Sequence, residues 1–98
     1  MAAYLLVDTQ VLDPSAYEEY RRQVGPMIER FRGRFLTRGG ASTVLEGSWQ
    51  PRRLVIVEFP DMVTLQALYT SPDYQPLRAL RQRAADTNLI AVEGMAPS

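Results

Sequence analysis

Residues 53–59 read RLVIVEF. Successive side chains of an extended strand point to opposite faces, so Val55, Val57 and Phe59 share one face and Leu54, Ile56 and Glu58 the other. Both faces carry apolar residues, which predicts a strand inside a sheet that must be covered on two sides. Upstream, Ser48-Trp49-Gln50-Pro51 reads as a turn. Before it, RFLTRGGASTVLEG (34–47) predicts a second strand with a bulge or bend at Gly39-Gly40.

Working outward, AYLLVDTQV (3–11) is a strand by its β-branched and aromatic content. Asp13-Pro14 is a helix start, with Asp13 as N-cap and Pro14 in the first turn, where its missing N–H costs nothing. Tyr17, Tyr20, Val24, Met27, Ile28 and Phe31 form the apolar stripe of that helix, and Gly25-Pro26 predicts a kink or a break into two pieces. Gly33 resets the chain for the next strand. Asp61 opens another helix with Leu65, Leu68 and Tyr69 inward. Ser71-Pro72 restarts it as a second cap, Pro76 sits uncomfortably deep, and Leu77, Leu80, Arg81 and Ala84 continue one face to about Asp86. NLIAVEGM (88–95) is the last strand, and residues 96–98 are expected to fray. The order is βαββαβ, an α+β ferredoxin-like arrangement. It places both helical segments on one face of a four-stranded antiparallel sheet with the first and third strands central.

At 98 residues the chain is expected to be one domain over 1–98, small enough that a wet apolar face would be a serious loss. The alternation places Leu5, Val7, Val11, Phe35, Val55, Val57, Phe59, Ile90 and Val92 under the helices. The other face receives Tyr4, Leu6, Asp8, Leu36, Arg38, Leu54, Ile56, Glu58, Leu89, Ala91 and Glu93. No helix is left to cover it, which predicts a homodimer through the sheet faces.

Composition removes several chemistries. Eleven basic and eleven acidic residues give zero formal charge, so no global field draws nucleic acid or anionic membrane. Every basic residue is arginine, which excludes Schiff-base chemistry on lysine and a lysine-based phosphate loop. Without cysteine or histidine there is no thiol nucleophile, usual zinc set or histidine triad, and no cofactor is expected. An RNA-recognition sheet needs exposed aromatics where the third strand has Leu54, Ile56 and Glu58, so nucleic acid is not an expected partner. The N-terminus has no basic region and its apolar run closes at Asp8, so neither a signal peptide nor a membrane span is expected, and a cytoplasmic location is.

The site expectation centres on Arg38, Glu58 and Asp8 as the catalytic set. With the first and third strands expected as parallel neighbours, Asp8 and Glu58 should emerge at the same end of the sheet as an acidic pair with Arg38 or Arg34 opposite it, a cation that also offers a planar fork to an anionic or carbonyl ligand. Ligand-binding candidates are Tyr17, Trp49, Tyr69, Ser71, Tyr74 and Arg81. Trp49 reads as pocket lid or dimer packing, the tyrosines as core packing or phenols aimed into a cavity between sheet and helices, and Arg81 as the one arginine on the apolar helix stripe. Structural ion pairing is the competing reading of the charged set.

Ala3-Tyr4, Asp13-Pro14, Tyr17-Glu18-Glu19-Tyr20, GRFLTRGG (33–40), Leu45-Glu46-Gly47, Trp49, RLVIVEFP (53–60), Tyr69 to Tyr74, Leu80-Arg81 and Val92-Glu93-Gly94 together resemble the domain of unknown function 1330 family over nearly the whole chain. The resemblance implies a dimeric α+β barrel, two protomers closing their sheets on each other. It implies no particular reaction. Wider relatives include cofactor-free monooxygenases, muconolactone isomerase-like enzymes and haem-dependent enzymes, whose catalytic histidines have no counterpart here. Two functions are therefore expected to compete. One is a pocket for a small carbonyl-bearing or anionic metabolite, with cofactor-free isomerase, lyase or monooxygenase chemistry. The other is a non-catalytic dimeric binding or regulatory module.

Overall fold

The computed structural model describes residues 1–96, and the last two residues of the expected frayed tail lie outside the described residues. The chain forms β1 (Ala3–Val11), α1 (Pro14–Arg30), β2 (Arg34–Arg38), β3 (Leu54–Phe59), α2 (Met62–Thr70), α3 (Gln75–Ala84) and β4 (Ala85–Glu93). The four strands lie in the order β2-β3-β1-β4, all antiparallel, with β1 and β3 central as expected. The helices pack on one face, where Val57, Phe59, Leu65, Leu68, Ala84 and Ile28 make the centre of the core. The Cα extents of 43 × 39 × 16 Å hold one sheet and one helical layer and no third, so the opposite sheet face is open.

Both aspartate caps form as read. The Asp13 carboxylate accepts from the Ala16 N–H at 3.2 Å, and the Asp61 carboxylate from Thr64 N–H at 2.7 Å. Helix α1 runs through Gly25-Pro26 without breaking in two, because the stripe from Tyr17 to Ile28 is buried on both sides of the proline. Ser71 caps a turn rather than a helix: its hydroxyl accepts from Tyr74 N–H at 3.3 Å, and α3 begins only at Gln75. Pro76 therefore lies in the first helical turn, where no intrahelical bond is lost.

Four expectations about the sheet are corrected. The second strand ends at Arg38, and residues 39–53 form a long loop in place of strand 34–47. The bulge lies between Phe35 and Thr37, not at Gly39-Gly40. It inserts one residue, so Thr37 faces Ile56 and Arg38 faces Val55, which moves Arg38 to the helix-covered side. β4 begins three residues early and has the opposite parity. Leu5 pairs with Ala91 and Val7 with Leu89, leaving Ile90 and Val92 on the open face, 61% and 45% exposed. Both sets of β4 side chains are apolar, so composition alone could not choose between them. Finally, β1 and β3 are antiparallel neighbours. A helical crossover makes β2 parallel to β1, the hairpin-like return reverses β3, and β3 enters between them.

Candidate functional site

Antiparallel pairing separates the expected catalytic set. Glu58 lies opposite Tyr4 and Asp8 opposite Leu54, so the two carboxylates sit at opposite ends of the sheet. Glu58 accepts from Arg34 Nε at 2.8 Å, so Arg34, not Arg38, is its partner. Asp8 accepts from Trp49 Nε1 and from the Arg52 backbone N–H, both at 3.0 Å. The Trp49 bond, aided by the Arg52 and Arg53 backbone amides, holds the Asp8 carboxyl below the usual carboxylate range. Asp8, Glu58 and Trp49 all belong to the open sheet face or its rim, where Trp49 lines a shallow groove together with Leu6, Leu54, Asn88 and Ile90.

The other face holds the cleft. Between α1, α3 and the sheet lies a space of about 540 Å³ including its mouth, of which about 50 Å³ admits the centre of a water-sized sphere. Its walls are apolar, from Leu5, Val7, Val24, Phe35, Val55 and Val57 among others. Its polar lining comprises Tyr17, Tyr20, Tyr74, Thr9, Arg21, Arg38, Arg53 and Arg81, and among the described residues no carboxylate lines it. Four of the expected site residues, Arg38, Tyr17, Tyr74 and Arg81, thus meet in one place.

Each arrives there for a local reason. The bulge turns Arg38 inward, where its guanidinium lies 4.2 Å from the Phe35 ring centre and donates to the Arg21 carbonyl at 3.0 Å. Burial, followed by the charges of Arg21 and Arg53, pulls the Arg38 pKa down, as expected of a cation without a counter-ion. Arg53 precedes β3 and keeps the parity of Val55; its Nε donates to Tyr17 Oη at 3.4 Å. Gly39, at φ +75°, makes room for it: a Cβ there would stand 2.2 Å from Arg53 Nη1. On the α1–α3 side, Tyr20 and Tyr74 share a hydrogen bond of 3.2 Å, either hydroxyl donating. Burial, then the neighbouring Tyr74, raises the Tyr20 pKa far above that of a free phenol, so it stays protonated. Arg81 is 6% exposed, and its buried Nε has no hydrogen-bond partner among the described residues. Neither Arg38, Arg53 nor Arg81 is in an ion pair among the described residues.

The chain that carries this sheet order and helical cover matches a known family. The chain belongs to the family described as Domain of unknown function (DUF1330), matched over residues 2–95. No curated protein matches it in sequence. Among solved structures, this DUF1330 chain is similar to a protein of unknown function from Rhodopseudomonas palustris at 24% identity and TM-score 0.75, covering 98% of this chain and 84% of that one. It is also similar to a dimeric ferredoxin-like protein of unknown function from Jannaschia sp. (15% identity, TM-score 0.71, 96% and 100% covered). A third is SnoaB, a cofactor-independent oxygenase from Streptomyces nogalater (12%, TM-score 0.67, 98% and 95%). At these identities the likenesses establish the ferredoxin-like fold. No helix among the described residues is long and apolar enough to cross a membrane.

The remaining expected site residues of the DUF1330 chain lie outside the cleft. The Ser71 hydroxyl is spent on the Leu68 carbonyl and the Tyr74 amide. Tyr69 packs its ring 5.7 Å from that of Tyr74, under Arg78, and lines a separate groove with Leu65 and Gln66. Tyr20 and Arg53 were not among the expected site residues. Arg53 is legible after the fact, as a cation two residues before Val55 on an otherwise apolar face.

Proposed function

We propose that this DUF1330 protein is a homodimer that binds a small anionic or carbonyl-bearing metabolite in the cleft between sheet and helices. One observation carries the reading: Arg38, Arg53 and Arg81, none of them ion-paired among the described residues, converge with three phenols on an apolar cleft that no carboxylate of the described residues lines. Buried cations are costly unless an anion joins them, and guanidinium is the group best shaped for a carboxylate. The dimer reading rests on the apolar open face and on the fold shared with the dimeric Jannaschia protein.

Binding without turnover is favoured over proton-abstraction chemistry by the same lining. Asp8 and Glu58, the carboxylates expected as bases, are on the other side of the sheet, and Tyr20 is held protonated. Oxygenase chemistry keeps support from the SnoaB fold, since a substrate that ionises by itself needs no protein base.

A thermal-shift series over small acids and their matched amides tests the proposal. The acids are expected to stabilise the protein, by about 2.7 kcal/mol at a hundredfold excess over Kd, and the amides are not. Arg38→Ala should fold, remain dimeric and lose the acid response. Equal stabilisation by acids and amides, or an acid response unchanged in the variant, refutes the assignment.

A further inference from the structure

Resting on the cleft as an acid site, a count of its unspent donors narrows the ligand. At the Arg38 end, Tyr17 Oη already accepts from Arg53, so its own proton remains free, and the Arg38 and Arg53 guanidiniums hold further N–H groups without a carboxylate. At the other end, Tyr20 and Tyr74 share a single hydrogen bond, so one of their two phenol protons is left over whichever way that bond runs. Beside them Arg81, more than nine-tenths buried, keeps an Nε–H with no acceptor among the described residues. The Arg81 Nε–H and the spare phenol proton are thus donors without an acceptor among the described residues, beside phenol oxygens that can accept as well. Buried donors without acceptors are rare in native proteins and mark a place where something else accepts.

We infer that the cleft recognises an acid with a second oxygen acceptor remote from its carboxylate, such as a keto acid, with the carboxylate at Arg38 and Arg53 and the carbonyl oxygen at Arg81 and the Tyr20–Tyr74 pair. Tyr17 and Tyr20, one from each end, stand 5.8 Å between ring centroids, and the cleft they line is otherwise largely apolar. Tyr20 is held protonated, so the Arg81 end can donate a hydrogen bond to a carbonyl oxygen.

Three probes of one shape separate the ends: 4-acetylbenzoate, 4-ethylbenzoate, which lacks the carbonyl, and 4-methylacetophenone, which lacks the carboxylate. Calorimetric titration of the intact protein should give 4-acetylbenzoate an affinity about tenfold above 4-ethylbenzoate, as expected of a hydrogen bond to a charged donor. In Arg81→Met that ratio should fall to about one while 4-ethylbenzoate binds as before. In Arg38→Met both acids should weaken alike and the ketone should not change. If Arg81→Met does not fold, the wild-type ratio alone decides, and Arg81→Lys, which keeps the charge but loses the Nε–H, should reduce it. Equal binding of the two acids by wild type overturns the second-acceptor inference and leaves the acid site standing. A preference that survives in Arg81→Met overturns the role of Arg81. Failure of both acids to bind overturns the acid site itself, and this inference with it.

Discussion

At the scale of single residues, the exit from α1 shows how two neighbours with similar roles on paper divide the work. Gly33 looks like the residue that turns the chain, yet it is Arg32 that has the left-handed backbone, at φ 62°. The Gly33 amide closes the helix end on the Ile28 carbonyl at 2.8 Å, and its lack of a side chain serves packing: a Cβ would stand 2.7 Å from Ile28 Cγ2 and 2.8 Å from the Phe59 ring. The two positions should respond to substitution in opposite directions. Arg32→Gly removes a left-handed non-glycine residue and is expected to stabilise by about 0.5–1 kcal/mol. Gly33→Ala forces the buried Ile28 and Phe59 apart and is expected to cost about 1–3 kcal/mol. Urea unfolding of the two variants checks the pair, and a stable Gly33→Ala would show that the helix exit is loosely packed.

At the scale of elements, the long loop after β2 is tied to the open side of β1 through Asp8. Residues 39–53 leave the sheet, and Asp8 on β1 accepts from both Trp49 and Arg52 of that loop. Because Asp8 has a lower pKa folded than unfolded, the tether stabilises above the unfolded carboxyl pKa of about 3.9 and is lost as pH falls through the folded value. Trp49 is the only tryptophan, so its emission reports the tether directly. Acid titration should show a transition in Trp49 emission with a midpoint below 3.9, before global unfolding. Asp8→Asn, which can still accept but cannot titrate, should flatten it, and an unchanged curve in that variant would exclude Asp8 as the cause. The same loop explains what the sequence could and could not show. Alternation located β1 and β3, and Asp13 and Asp61 marked two helix starts, because these signals depend on near neighbours only. The bulge at Phe35–Thr37 has no local signature, and it decides whether Arg38 faces the cleft or the open side. Strand direction, by contrast, follows from the order of elements: a helical crossover makes β2 parallel to β1 and the return reverses β3, which sets Asp8 and Glu58 at opposite ends of the sheet. Tyr17 and Arg81 lie on helix stripes, where three- and four-residue spacing fixes the buried side, whereas Tyr74 is buried from the turn that precedes α3.

At the scale of the molecule, the open sheet face is the largest energetic question. Leu6, Leu54 and Ile56 are partly exposed there beside Leu36, Ile90 and Val92, with the Arg34–Glu58 pair at one end. Trp49, 62% exposed, lies over the same face near the other end. A second copy stacking sheet on sheet would remove these residues from water, and an interface of about 1,200–2,000 Å² at ~25 cal/mol per Å² is large beside the 5–10 kcal/mol typical of a domain this size. A charge at the centre of that face should therefore cost the dimer far more than it costs the protomer. Ile56 is the place for it, since it is on central β3 with β1 and β2 on either side and does not reach the cleft. Ile56→Asp is expected to sediment as a monomer at micromolar concentration, with a lowered melting temperature that no longer depends on protein concentration. The cleft lies on the opposite side of the sheet, so acid binding should persist in whatever fraction of Ile56→Asp remains folded. A monomeric wild type of unchanged stability would remove the dimer, while leaving the cleft and its arginines untouched.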